Sequence, residues 1–240
     1  MAYGSARRGF GMSGGSAGTD PALVDRIASR YRLRRHRSYV RGKLRWDPAF
    51  AAVAPLILDS SHALLDIGCG LGLLGQYLRE RGFRAPYRGI DLDARKIGEA
   101  QAAADGLDLE LTAGSATAPP PFDGDVALID VLHYLPADAQ QRVLAEAIAR
   151  VPARGLVLIR NVIRESNWRF RATVAEERVS RAFGWMRCET GHFPTREEIE
   201  SPLRAAGFAI DSAPLWGRTP FNSWLIVARR GDRAVRTPEG

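Results

Sequence analysis

Two rhythms of apolar residues alternate along the chain after residue 60. Ala63–Ile67 is a short apolar run that ends at glycines, the pattern of a buried strand, and Leu73, Leu74, Tyr77 and Leu78 then recur at helical spacing. Tyr87–Ile90 predicts a second strand that ends at Asp91. Asp93 is placed to cap a helix through Ile97, Ala100 and Ala104, with Gly106 as its stop. Leu107, Leu109 and Leu111 alternate as a third strand, Pro119, Pro120 and Pro121 enforce a loop, and Val126–Ile129 predicts a fourth strand. Asp138 with Gln141 three residues on has the spacing of a capping box for the next helix, and Leu156–Ile159 reads as a fifth strand.

After Arg160 the rhythm changes. Residues 161–191 read as a loop and a polar helix rich in Arg, Glu and Trp, a lid inserted into the domain. Thr195 and Glu198 give a second capping-box signature before Ile199, Leu203 and Gly207. Phe208–Leu215 and Trp224–Ala228, joined by Trp216–Asn222, predict an antiparallel hairpin. Upstream, Pro21–Leu58 predicts one or two helices, an N-terminal cap over residues 21–58. The main domain then spans 59–230, between disordered tails at 1–20 and 231–240. Strands alternating with helices imply an α/β fold: a mostly parallel seven-stranded sheet, helices on both faces, and an antiparallel C-terminal hairpin.

Composition narrows the classes. With 45% hydrophobic and 25% charged residues in 240, the chain reads as globular, with room for one full α/β core. No apolar run approaches the ~18 residues of a membrane span; the longest, Ala49–Leu58, is interrupted by Pro55. Met1–Gly18 carries only Arg7 and Arg8 and no apolar stretch, so it does not read as a secretory signal. Cys69 and Cys188 make no disulfide framework, and a cytoplasmic location is expected. No Cys/His cluster has zinc spacing, and no pair of carboxylates marks a metal site, so metal independence is expected.

Charge is uneven. Residues 30–45 hold Arg30, Arg32, Arg34, Arg35, Arg37, Arg41, Lys43 and Arg45 and no acid, more than the whole formal net charge of +7. Such a patch is either a solvated helix face or a surface for an acidic partner. On the second reading Tyr39–Lys43 belongs to the lid and Arg30–Arg37 faces outward.

The stretch richest in chemistry is Leu64–Gly72. A strand ends in Gly68, Gly70 and Gly72, spaced G-x-G-x-G, and a helix follows at once. Glycines there let the backbone turn sharply and a ligand come close. The dinucleotide fingerprint would need glycine at position 73, where Leu73 stands. Asp66 precedes the loop, where a carboxylate can meet a cationic ligand or orient the loop, and Cys69 reads as a small loop filler.

Asp66-Ile67-Gly68-Cys69-Gly70 resembles motif I of class I S-adenosylmethionine-dependent methyltransferases. Gly89-Ile90-Asp91 at the end of the next strand is similar to the family's second landmark. The resemblance implies a Rossmann-like fold with S-adenosylmethionine as cofactor, Asp91 on the ribose hydroxyls and Leu92 on adenine. Gly114-Ser115-Ala116 stands where the family usually has an acid near adenine, and Ser115 departs from that pattern while keeping an acceptor. Asp125–Tyr134 resembles motif IV, which places Asp130 and Val131 at the cofactor and His133 and Tyr134 toward the substrate.

A further likeness concerns Tyr39–Pro48, Asp130–Leu135 and Leu215–Asn222, which together are similar to methyltransferases encoded with aryl polyene pigment pathways. It implies a small or carrier-bound aromatic (phenolic) substrate in secondary metabolism and an acidic acyl carrier protein as a partner for the basic segment. His133 is either the base that takes the phenolic proton or a structural hydrogen bond to a loop. Tyr39 and Lys43 would close over the methionine end of the cofactor. Tyr134 would line the pocket or pack in the core, Arg160 and Asn161 sit just past the fifth strand, Trp168, Arg169 and Glu176 fall in the lid, and His192 is expected to be structural.

Two alternatives stay open. An RNA methyltransferase would grip phosphates with residues 30–45. However, no RNA-binding module is recognisable, and the segment after the fourth strand lacks the Asn/Asp-Pro-Pro-Tyr/Phe pattern of amino-directed nucleic-acid enzymes. A cofactor-binding scaffold without catalysis would also keep Gly68–Gly72 and Asp91 intact.

Overall fold

The computed structural model describes residues 19–174, 191–217 and 219–232. Expectations for the segment before residue 19, for Glu176 and Cys188, for Arg218 and for the last eight residues lie outside the described residues.

Seven strands form one sheet: β1 Leu64–Ile67, β2 Tyr87–Asp91, β3 Glu110–Ala113, β4 Asp125–Ile129, β5 Leu156–Val162, β6 Phe208–Pro214 and β7 Ser223–Arg230. Their order is β3-β2-β1-β4-β5-β7-β6. β1 to β5 are mutually parallel, and β7 runs antiparallel between β5 and β6. The strand order reverses between β1 and β4, so a crevice opens at their C-terminal ends, where α/β sheets hold ligands.

Side-chain alternation divides the core into two layers. Leu64, Leu156 and Leu158 point to one face and Leu65, Ile67, Val157 and Ile159 to the other. The first face is covered by α1 (Pro21–Ser29), α2 (Arg34–Trp46), α3 (Ala49–Leu58), α4 (Leu73–Glu80) and α5 (Ala94–Ala103). The second is covered by α6 (Ala137–Arg150) and α7 (Arg196–Ala205). The N-terminal cap is thus part of the main core: Leu23, Val24, Ile27, Val40, Leu44 and Phe50 are buried in it. Each such side chain contributes roughly 1.5–3 kcal/mol.

Four local expectations are corrected. Three helices, not one or two, cover residues 21–58, because Tyr31–Leu33 and Asp47–Pro48 interrupt the helical path. The third strand starts at Glu110 rather than Leu107, since Asp108 adopts φ +52° and breaks the extended run. Asp138 is not an N-cap: the helix begins at Ala137 after Pro136, and Asp138 sits in the first turn, paired with Arg142 at 2.7 Å. β5 continues to Val162, two residues into the segment assigned to the lid, because β7 pairs with it as far as Val162↔Ser223. The Thr195–Glu198 capping box forms in both directions, and Asp93 caps α5 by accepting the Arg95 N–H.

Candidate functional site

The glycine loop turns left-handed three times, with φ of +79° at Gly68, +57° at Gly70 and +70° at Gly72, where a side chain would be strained. Gly68 has a second constraint: a Cβ there would lie 2.4 Å from Val131 Cγ2, so this glycine lets the end of β4 close on the loop. The N–H groups of Gly68 and Cys69 both donate to the Ile90 carbonyl, at 2.7 and 2.9 Å. Gly70 N–H donates to one oxygen of Asp91 and Asp93 N–H to the other, each at 2.9 Å. The β1–β2 register, Ile67↔Ile90, brings Asp91 to the loop. Leu92 beside it is 80% exposed. A pinned carboxylate, a bare glycine cradle and an exposed apolar side chain suit a ribose, a close-lying chain and a planar base, so these residues fit S-adenosylmethionine.

Asp66 lies beneath the loop, 2% exposed, and accepts the Tyr87 hydroxyl at 2.5 Å. Burial pushes its carboxyl up to about 7, against the Tyr87 bond. Of its two anticipated roles, this placement suits orienting the loop. The Cys69 thiol is pushed far up by burial and by the carboxylates of Asp66 and Asp91, which suits a filler and not a nucleophile. Ser115 Oγ pairs with Thr117 Oγ1 at 2.9 Å, and Ala116 packs against the second core layer.

At the end of β4, Asp130 adopts φ +60° and its N–H donates to the Arg160 carbonyl. Its carboxylate receives Lys43 Nζ at 2.9 Å and the Arg160 guanidinium. Asp47 completes a ring, with Lys43 at 2.5 Å and Arg160 at 3.4 Å, while also capping α3 through Ala49 N–H. Burial opposes each charge. Arg160 and Lys43 nevertheless hold the Asp130 carboxyl well below the usual range, and the two carboxylates hold Lys43 and Arg160 up. The Lys43 ammonium is therefore turned onto two carboxylates, and Tyr39 lies one turn away on the exposed side of α2.

His133 stands in a single 3-10 turn, Leu132–Tyr134, directly after β4. It is 4% exposed, with Nδ1 3.0 Å from Asn161 Oδ1. The Asn161 amide donates to the Val162 carbonyl at 2.8 Å, which fixes its oxygen toward the ring. Tyr134, at 4.1 Å between centroids, and Phe193, stacked at 6.1 Å, flank the imidazole, and Phe170 meets Phe193 edge-on. Gln140 holds this turn by donating to the carbonyls of Leu132, Leu135 and His192. His192 itself lies 3.3 Å from the Glu198 carboxylate.

Past β5, fully buried Asn222 donates to Ile163 O and Glu165, and its N–H donates to Thr173. It ties the helical stretch 168–174 to the start of β7. Arg169 lies over both Trp168 and Trp216, and Gly217 packs on Pro48, next to Asp47. Trp168 is 64% exposed. Among the described residues no group of three or more His, Cys, Asp or Glu could hold a metal ion.

The basic segment divides. Arg30 pairs with Glu80, Arg37 donates to the Tyr31 carbonyl, Arg41 pairs with Asp25 at 2.8 Å and Lys43 joins the ring. Arg32, Arg34, Arg35 and Arg45 are exposed. The expectation that Arg30–Arg37 faces outward is thus corrected for Arg30 and Arg37, which bond to the cap and α4. Sequence reasoning also missed Tyr31, whose hydroxyl donates to the Leu71 carbonyl of the glycine loop at 2.6 Å and accepts from Gln76. It missed Asp47 as well. Asp47 lies inside the stretch Tyr39–Pro48 without a role of its own there, and a lone Tyr before a basic helix gives no signal.

Residues 64–155 match the family described as a methyltransferase domain. No curated protein matches the chain closely enough to count as a relative. Among solved structures, an O-methyltransferase family protein from Burkholderia thailandensis superposes with a TM-score of 0.62 at 19% identity, over 85% of this chain and 62% of its own. Magnesium protoporphyrin IX methyltransferase from Synechocystis, with bound S-adenosylhomocysteine (SAH), gives 0.62 at 18% identity, over 88% and 94%. An O-methyltransferase family 2 protein from Planctomyces limnophilus in complex with apigenin gives 0.61 at 25% identity, over 87% and 64%. This chain therefore spans less than two thirds of the Burkholderia and Planctomyces proteins.

Proposed function

We propose that this chain, a methyltransferase whose cofactor is S-adenosylmethionine, methylates a hydroxyl of a small or carrier-bound aromatic substrate in secondary metabolism, in the cytoplasm. The observation that carries the reading is His133, a buried imidazole at the end of β4 with Nδ1 on an amide oxygen. An amide oxygen only accepts, so Nδ1 bears the hydrogen and Nε2 is the basic atom of the neutral ring. Tyr134, Phe193 and Phe170 around it suit an aromatic acceptor.

When bound, the cofactor supplies a methyl group made electrophilic by its sulfonium. The chain's own residues then have three tasks. Gly68, Gly70 and Gly72 with Asp91, Leu92, Ser115 and Ala116 hold the donor, while Asp66, Cys69 and Val131 shape the loop from below and beside it. The walls around His133 align the acceptor, the largest contribution in a direct displacement. His133 Nε2 takes the phenolic proton, so that oxygen attacks as a phenolate. Two structural neighbours named as O-methyltransferases, one of them complexed with apigenin, support oxygen as the accepting atom. The exposed Arg34, Arg35 and Arg45 suit the acidic surface of a carrier protein.

The test is turnover to SAH with hydroxylated aromatic acids, offered free and as pantetheine or carrier thioesters, with and without EDTA. Methyl transfer to a phenolic oxygen that survives the chelator is expected. Transfer to RNA alone would replace the reading with the RNA alternative. Cofactor binding without transfer to any acceptor would favour the scaffold.

A further inference from the structure

The N-terminal cap touches the C-terminal edge of the sheet at two places on either side of the crevice. At one end, Tyr31, just before α2, donates its hydroxyl to Leu71 in the loop after β1, and buried Gln76 holds that hydroxyl from below at 2.6 Å. At the other end, Lys43 and Asp47 close the ring with Asp130 after β4 and Arg160 on β5. Between them runs α2, whose 13 residues extend roughly 20 Å at 1.5 Å per residue. β1 and β4 are the neighbours at which the strand order reverses. The helix therefore leads from one lip of the cofactor crevice to the other.

The two attachments differ in kind. The Tyr31 end is a hydrogen bond inside a packed core, with Val24, Ile27 and Tyr31 all buried. The Lys43 end is a ring of two cations and two carboxylates beside Leu44, whose side chain is buried in the main core. Arg160 and Asp47 are buried in the ring, whereas Lys43 is partly exposed, so its ammonium can exchange the two carboxylates for water while Val40 and Leu44 stay packed. Gly42, beside Lys43, has nothing within 4 Å of where a Cβ would lie, so that side of α2 is open.

We propose that α2 is a strap over the cofactor crevice and that the Lys43–Asp130–Arg160–Asp47 ring is its latch, which opens to admit and release the cofactor. This rests on the cofactor being S-adenosylmethionine, but on no particular acceptor. It gives Lys43 a task distinct from holding the cofactor: its ammonium is already satisfied by two carboxylates.

Stopped-flow binding of SAH, followed through tryptophan fluorescence, separates the two roles. Lys43→Met should raise the association and dissociation rate constants together, each about tenfold for ~1.4 kcal/mol of lost latch, with Kd little changed. Lys43→Arg should stay near the parent. A rise in dissociation alone, with an equal loss of affinity, would mean that Lys43 touches the cofactor, and the latch would fall; unchanged rates would also sink it. Hydrogen exchange on the unaltered chain gives a second reading should Lys43→Met fail to fold. SAH should slow exchange in residues 38–48, and no slowing there would count against the strap. Failure to bind SAH at all would instead overturn the cofactor assignment.

Discussion

The side-chain oxygen of Asn161 lies 3.0 Å from Nδ1 of His133, and the same amide is anchored by its nitrogen to the Val162 carbonyl. The pair joins the ends of β4 and β5, which are neighbours in the sheet. It sets the imidazole tautomer with no charge on the partner.

His133→Ala is expected to lower kcat by roughly 10²–10⁴ with cofactor affinity unchanged. Asn161→Leu should lower it roughly 10- to 100-fold by freeing the tautomer, and Asn161→Asp, which keeps an acceptor in place, should restore much of the loss. Nitrogen-15 shifts of the imidazole report the tautomer without any substrate. A hydrogen on Nε2 in the parent chain would refute the assignment, and parental turnover by His133→Ala would return the residue to a packing role.

Asp91 receives two backbone N–H groups and still faces the cradle with its remaining lone pairs. Asp91→Ala removes charged hydrogen bonds of ~1.5–3 kcal/mol, so calorimetry should show S-adenosylmethionine affinity falling at least about tenfold. Asp91→Asn keeps an acceptor for one N–H and should fall less. Equal affinity in all three proteins would mean that the ribose site lies elsewhere.

Asp66 gives a pH signature. Its folded carboxyl is pushed up to about 7 by burial, from an ordinary value of 3.8. The folded chain therefore binds the extra proton between those values, and stability from this group is present at low pH and lost as pH rises from about 4 to 7. Asp66→Asn cannot ionise. Relative to the parent it should gain stability steadily across that window, by about 1.4 kcal/mol for each pH unit, and its melting temperature should rise accordingly. A gap between the two melting curves that stays constant with pH would contradict the buried, raised carboxyl.

Sequence reading reached the parts of the site that periodicity and spacing encode. Gly68 to Gly72, Asp91 and His133 each follow a strand whose apolar run is visible, and parallel pairing then puts those strand ends side by side. What it could not reach depends on contacts between distant segments. Nothing in Asp47-Pro48 announces that its carboxylate will share a ring with Asp130 and Arg160. Cap rules also mislead where a neighbour pre-empts them: Pro136 starts α6 two residues early and leaves Asp138 inside the first turn. Leu107 and Leu109 face the core without being strand, because burial and extension part company at Asp108.

The basic segment separates fold from partner. Arg30, Arg37, Arg41 and Lys43 bond within the chain, whereas Arg34, Arg35 and Arg45 are exposed on α2, the helix that also carries Tyr39 and Trp46. Exposed cations act through steering, so their effect should fade within a Debye length of ~8–10 Å as salt rises. Reversing charge at Arg34, Arg35 and Arg45 is therefore expected to weaken use of a carrier-bound acceptor, with the loss shrinking at high ionic strength. Turnover of the same acceptor as a free acid should change little. So should the melting temperature, because all three side chains stand in solvent, where a charge contributes little to stability. Arg30→Ala should behave in the opposite way, lowering the melting temperature by removing one of the two arginines that pair with Glu80 and affecting both acceptors alike. The measurement is kcat/KM for free and carrier-bound acceptor at two salt concentrations. Equal, salt-independent losses on both acceptors from the triple reversal would make the segment a folding element, and the acidic partner would have to be abandoned.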